Sequence, residues 1–327
     1  MSVDISSRPL VNAEAEAVAG TAGAGASRRA RHRLESESRG FTSEFDRRRP
    51  AIRWARRAVQ IALLIFLLIG ALGPLLWLAK SAVTPTQDTL RHPMSIWPHG
   101  ADWVNLKTAW VDLHLGRYFV NTLIIAFGSW ATQMIVATTA GYALSILRPR
   151  YGRFLYAMVL ATMFVPTVVL LVPLYLTVLD MPVAHVSLIN TFWAAFLPAG
   201  ASAFNVAIMK RFFDNLPTEI IEAARVDGAG DFRMFRSIVL PMSRPVLGVV
   251  SVFAVLAAWK DFIWPLIVLP DPSKQPLSVR LPALSQTTEL DIFLAALLIS
   301  TSIPIVFFLI FQRFFLRGGG LDGAVKG

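Results

Sequence analysis

The chain has 327 residues, of which 55% are hydrophobic and only 16% charged, and its mean hydropathy is +0.56. Soluble domains carry about 25% charged residues, so the composition excludes a water-soluble globular protein and points to lipid. The formal net charge of +10 does not indicate nucleic acid, because the basic residues are sorted by segment along the chain and not spread over one soluble face. With no cysteine present, disulfides, thiolate catalysis and cysteine-ligated metal are excluded.

Residues 1–57 form a basic leader whose first part, up to Asp46, is rich in Ala, Gly, Ser, Glu and Arg. It has no apolar periodicity able to offset the entropy of ordering, and a disordered cytoplasmic tail is expected. The apolar stretch 58–79 comes too late and runs too long for a signal-peptide core, so it reads as an uncleaved first span. Five further stretches, 118–147, 154–179, 186–209, 246–269 and 292–316, reach the roughly 20 residues needed to cross about 30 Å of hydrocarbon. Their continuous apolarity excludes the alternation of a membrane β-barrel. The expected fold class is all-α: a polytopic membrane protein with six transmembrane helices over 58–316 and a C-terminal tail at 317–327.

Of the 31 Lys and Arg, only Lys80, Arg91, Lys107, Arg117, Lys274 and Arg280 fall in loops on one side, Lys260 lies inside a span, and all others fall on the opposite side. The positive-inside rule therefore places both termini in the cytoplasm. Trp97, Trp103 and Trp110 mark the outer loop 80–117 as an interfacial segment. Pro74, Pro166, Pro173, Pro198, Pro265, Pro304 and Gly141 lie in the spans, where such residues kink helices or let backbones approach. No internal duplication is evident, which argues against an inverted-repeat transporter.

The inner loop 212–244 reads as two short helices. Pro217 suits a first turn, Glu219 and Glu222 suit the positive helix start, and Gly228 supplies a left-handed stop, giving a first helix over 217–227 that ends at Asp227. In the second, Phe232, Phe235 and Ile238 or Val239 recur at helical spacing until Pro241 ends the pattern. On physics alone this amphipathic pair either lies on the membrane surface or packs on its own helix ends.

The residues are more specific. Glu222-Ala223-Ala224, then Gly228, then Ile238 and Leu240-Pro241 resemble the EAA signature of permease subunits in bacterial type I ABC importers. TTAGYALSILR at 138–148, VPLY at 172–175, MKRFFDNLP at 209–217 and WKDFIWPL at 259–266 are similar to the carbohydrate branch, the maltose and glycerol-phosphate importer type, as is the terminal Gly-Ala-Val-Lys-Gly. The resemblance implies a type I ABC importer permease fold and a coupling helix, the first helix of the loop, that docks on an ATPase subunit. It also implies the partners: an ABC ATPase dimer, a second homologous permease, an extracytoplasmic solute-binding protein, a sugar substrate and membrane lipid. No stretch matches the phosphate-cradling G-x-x-x-x-G-K-[ST], so no cofactor is expected on this chain, and ATP and Mg belong to the ATPase partners.

Polar groups within the spans are candidate pathway residues. Lys260 and Asp261 are costly in hydrocarbon and each needs a partner or a cavity. With Trp259 and Trp264 they form either a polar, aromatic pocket suited to a sugar, with a Lys260–Trp264 cation–π contact, or a snorkelling lysine in an aromatic belt. Asn205 and Gln133 are either pathway amides or interhelical glue. Two other functions compete with an importer: an ion-coupled secondary transporter or channel, with Asp261 as its acidic group, and a membrane scaffold whose loop recruits a soluble partner.

Overall fold

The computed structural model describes residues 50–318 apart from 96, 98 and 99, and of residues 50–53, 55 and 311–318 the backbone alone. Of the expected disordered tail 1–57, the part before residue 50 lies outside the described residues, as does the Gly-Ala-Val-Lys-Gly terminus, while residues 50–57 are helical and begin the first helix. No strand occurs among the described residues. In chain order the helices are α1 (Pro50–Ala82), α2 (Thr86–Arg91), α3 (Val104–Val111), α4 (Leu115–Tyr142), α5 (Gly152–Thr162), α6 (Thr167–Leu179), α7 (Phe192–Phe196), α8 (Ala203–Asp214), α9 (Thr218–Val226), α10 (Asp231–Met234), α11 (Leu240–Met242), α12 (Arg244–Lys260), α13 (Ile263–Val268), α14 (Leu277–Leu284) and α15 (Leu290–Gly318). π-helical turns follow α4 (Ala143–Leu147) and α10 (Phe235–Val239).

Contacts divide the chain at Pro74 into two units, Met1–Pro74 and Leu75–Gly327. The described part of the first is helix, where Leu63, Phe66 and Leu67 are all exposed, as a lipid-facing helix with no polar stripe requires. In the second unit α4 is the central element, packed against α8, α12 and the turn Pro198–Gly200. Both α8 and α7 approach α4 closely: a Cβ on Gly141 would lie 3.0 Å from Met209 Cβ of α8, and one on Gly128 2.5 Å from the Phe196 ring of α7. Small residues at such crossings let helices in lipid gain van der Waals contact without a hydrophobic drive.

Six spans were expected, and the described residues offer up to six if each bent helix pair counts as one span. Three segments are long and apolar enough to cross a membrane, Arg56–Ala82, Leu115–Leu147 and Leu290–Ile310, and three more pass only as bent pairs. The third expected span breaks between Gly152–Thr162 and Thr167–Leu179 by 108°, where Pro166 has no N–H to continue the ladder. The fourth does not start at Val186: Val183, His185 and Asn190 have positive φ, helix begins at Phe192, and Gly200 and Ser202 bend it by 42° before α8. The fifth ends at Lys260, not Leu269, and at its other end turns by 81° into the second helix of the loop.

Candidate functional site

The loop after α8 carries the candidate site. Pro217 is the N-cap of α9 and Asp227 its C-cap, one residue from the expected limits at each end. Gly228 has φ +76. Its N–H donates to Arg225 O at 3.0 Å, and the Ala229 N–H reaches back to Ala224 O at 2.9 Å. These two bonds make a Schellman stop, a conformation that favours glycine because a side chain at positive φ is strained.

Helix α9 is two-faced. Ile221 and Ala224, three apart, are buried, and Ile221 joins a core with Met209 and Phe213 of α8, Tyr142 of α4, Val250 of α12, Met234 and Val239. Glu222 and Ala223 are exposed, as are Ile220 and Val226. Between α9 and the second helical piece runs a groove of about 580 Å³, lined by Glu219, Ile220, Ala223, Ala224 and Asp227 on one wall and Ala229, Arg233, Ser237 and Ile238 on the other. Charges of both signs line it, Glu219 and Asp227 with Arg233. Ala223 and Ala224 both line the groove, Ala224 buried and Ala223 exposed.

The second helical piece departs from expectation. Phe232 is 73% exposed, Met234 and Val239 are fully buried, and the π turn Phe235–Val239 lies between them. Phe235 and Ile238 pack against the same core as Val239, so of the expected pattern Phe232 alone is off the core. Leu240 is half-buried and Pro241 exposed; Pro241 does not end the helix but lies within α11, and the bend follows at Ser243, whose hydroxyl donates to Val239 O at 2.6 Å.

Sequence reading missed Tyr142. Its ring is 6% exposed and lies 5.0 Å from that of Phe235, and its hydroxyl donates to Asp231 O at 2.9 Å, tying α4 to the loop. The Gly141-Tyr142 pair in TTAGYALSILR was the available signal. Nearby, Asp214 accepts from Ser145 Oγ and Lys210 Nζ, both at 2.7 Å, which clamps the end of α8 to the π turn after α4.

The pathway candidates are not brought into one pocket. Lys260 is the last residue of α12, and Asp261 leaves the helix with extended backbone. A Lys260–Trp264 cation–π contact at four-residue spacing requires continuous helix, and the break removes it. Asp261 instead accepts the Trp264 N–H at 3.4 Å through its carboxylate and the Ser278 hydroxyl at 2.6 Å through its carbonyl, securing the break. Trp264 is buried with its indole N–H on Ala194 O at 2.9 Å, in a different cluster from Trp259, which packs edge-on to Phe119 at 6.3 Å. Asn205 and Gln133 are both buried and bonded to each other at 2.6 Å. They join α8 to α4, which is the glue role.

A family model described as binding-protein-dependent transport system inner membrane component matches residues 135–318, a stretch that contains Tyr142, the whole loop and the break after Lys260. The chain is 30% identical over 262 residues to the diacetylchitobiose uptake system permease protein NgcG of Streptomyces coelicolor, covering 78% of this chain and 85% of that protein. It is 28% identical over 276 residues to the sn-glycerol-3-phosphate transport system permease protein UgpE of Yersinia pestis, covering 80% and 96%. Against the melibiose/raffinose/stachyose import permease protein MelC of Bacillus subtilis it is 29% identical over 236 residues, covering 71% and 84%. Among solved structures, a chain of a bacterial ABC transporter involved in the import of the acidic polysaccharide alginate shares the fold, with a TM-score of 0.70, 21% identity and coverage of 84% of this chain and 99% of that one.

Proposed function

The chain belongs to the family of binding-protein-dependent transport system inner membrane components, and from that premise we propose that it is the permease subunit of an ABC importer carrying a mono- or oligosaccharide into the cytoplasm. The relatives that import diacetylchitobiose or melibiose, raffinose and stachyose support the sugar. In this reading a solute-binding protein delivers the sugar to this subunit and a second, homologous permease. An ATPase pair, which uses ATP and Mg, drives the helices between outward and inward access. Both termini lie in the cytoplasm, residues 1–57 and 317–327 flank the permease domain, and the chain itself makes and breaks no covalent bond.

The observation that carries the proposal is the build of α9. Its stop at Gly228 and its buried Ile221 root it in the same core as α4, α8 and α12, while Ile220 and Ala223 are exposed beside the groove. A partner seated on that face and displaced moves a helix whose other face is continuous with the membrane helices. Glu222, Asp227, Ile238, Leu240 and Pro241 frame the seat. Non-helical backbone at membrane depth is tolerated where it is buried in protein or lines a water-filled cavity, so the break at 260–262, with Trp259, Lys260 and Asp261, is the pathway-lining stretch of this chain. Trp264 and Asn205 support it from behind. The acid on which an ion-coupled transporter depends, Asp261, is occupied in securing the break.

Uptake of labelled mono- and oligosaccharides by a strain lacking this gene, with and without its restoration, tests the proposal. At least one sugar is expected to enter only in the restored strain; equal uptake of every sugar in both contradicts the substrate class.

A further inference from the structure

We infer that Tyr142 is the positioning residue that passes displacement of the loop to α4, with the π turns that adjoin it on either side as the yielding elements; this rests on the coupling role proposed for α9. Most of the loop's contacts with the membrane helices are apolar. Ile221, Met234 and Val239 sit in a common core with Met209 and Phe213, and such packing holds elements together without fixing their direction of motion. A hydrogen bond is directional. Among the described residues, the bond from the Tyr142 hydroxyl to Asp231 O, 2.9 Å, is the one that joins the loop 218–242 to a distant element. Tyr142 also ends α4, and its ring meets Phe235, the first residue of the loop's π turn, at 5.0 Å.

Each side of this contact is backed by a π turn: Ala143–Leu147 directly follows Tyr142, and Phe235–Val239 follows Met234. A π turn holds one residue more than an α turn, so it can shift along the chain and let the adjoining helix move by about one residue rise, 1.5 Å, without unfolding. Beyond the first turn, Arg148 has φ +49, which ends the helical path there. The movement is therefore received at Asp231, carried by Tyr142 and passed along the unbroken α4.

The chain has no cysteine, so within it spin labels attach only where cysteines are introduced. In the complex purified with its ATPase pair, one pair (Phe232→Cys with Arg211→Cys) reports the loop against α8. A second pair (Val120→Cys with Ala201→Cys) reports α4 against the start of α8. On trapping with ATP and vanadate both distances are expected to change in the parent chain. In Tyr142→Phe, which removes only the hydroxyl, the loop pair still changes while the α4 change falls at least twofold; Phe235→Leu gives the same split. An α4 change of parental size in both variants overturns the inference. So does loss of the loop change together with the α4 change, which marks Tyr142 as merely structural. If neither pair moves in the parent chain, the coupling role of α9 itself fails.

Discussion

Gly228 and Asn205 show how differently single residues became legible. The Gly228 stop is written within a few positions: a helix of nine residues, an acidic first turn and a glycine whose φ of +76 only glycine holds without strain. Asn205 depends on Gln133, 72 positions away, and Trp264 on Ala194, 70 positions away; no local pattern encodes either partner. The amide pair predicts non-additivity. Asn205→Leu leaves Gln133 buried and unpaired, at a cost of about 1–3 kcal/mol, whereas the double variant with Gln133→Leu is expected to lose less than the sum of the two singles in a denaturation series in detergent. Additive losses contradict the pairing. Trp264→Phe leaves the Ala194 carbonyl without its donor and is expected to cost about 1 kcal/mol while leaving the transported sugar unchanged, because its indole N–H points into the protein; a change in sugar preference places it in the pathway after all.

At the scale of elements, α9 separates stability from docking. Ile221→Ala opens a cavity in the core shared with Met209 and Phe213 and is expected to destabilise by about 2–5 kcal/mol, read as a lower unfolding midpoint. Ala223→Arg adds bulk and charge to an exposed position at the groove, so the midpoint is expected to stay within experimental error while recovery of the ATPase pair on affinity purification falls at least fivefold. Full recovery contradicts α9 as the docking element. The apolar runs announced the membrane elements, but their bends were not legible, because each depends on several neighbours acting together. Pro166 stands at a break, as the N-cap of α6, whereas Pro173 lies inside α6. The π turns left no compositional trace, and the exposure of Phe232 beside the buried Met234 follows from how the loop seats on the core, not from local spacing.

For the molecule as a whole, composition already placed the chain in lipid, and the loop signature placed it in its family. The three-dimensional arrangement adds the physical connection between them. A surface helix, the ends of α4 and α8, and the start of the span α12 share one core, so a force applied at the loop reaches helices that cross the membrane. That connection predicts separable functions. The most direct test is the ratio of ATP hydrolysed to sugar taken up in proteoliposomes holding this chain, its ATPase pair, its second permease and its binding protein, with whichever labelled sugar the uptake panel identifies. Gly228→Val strains the stop by about 1–2 kcal/mol, at a position where an added Cβ meets nothing within 4 Å. Normal insertion and assembly, continued hydrolysis and uptake reduced at least tenfold are expected; an assembled complex with Gly228→Val that transports at the parental ratio contradicts α9 as the coupling element.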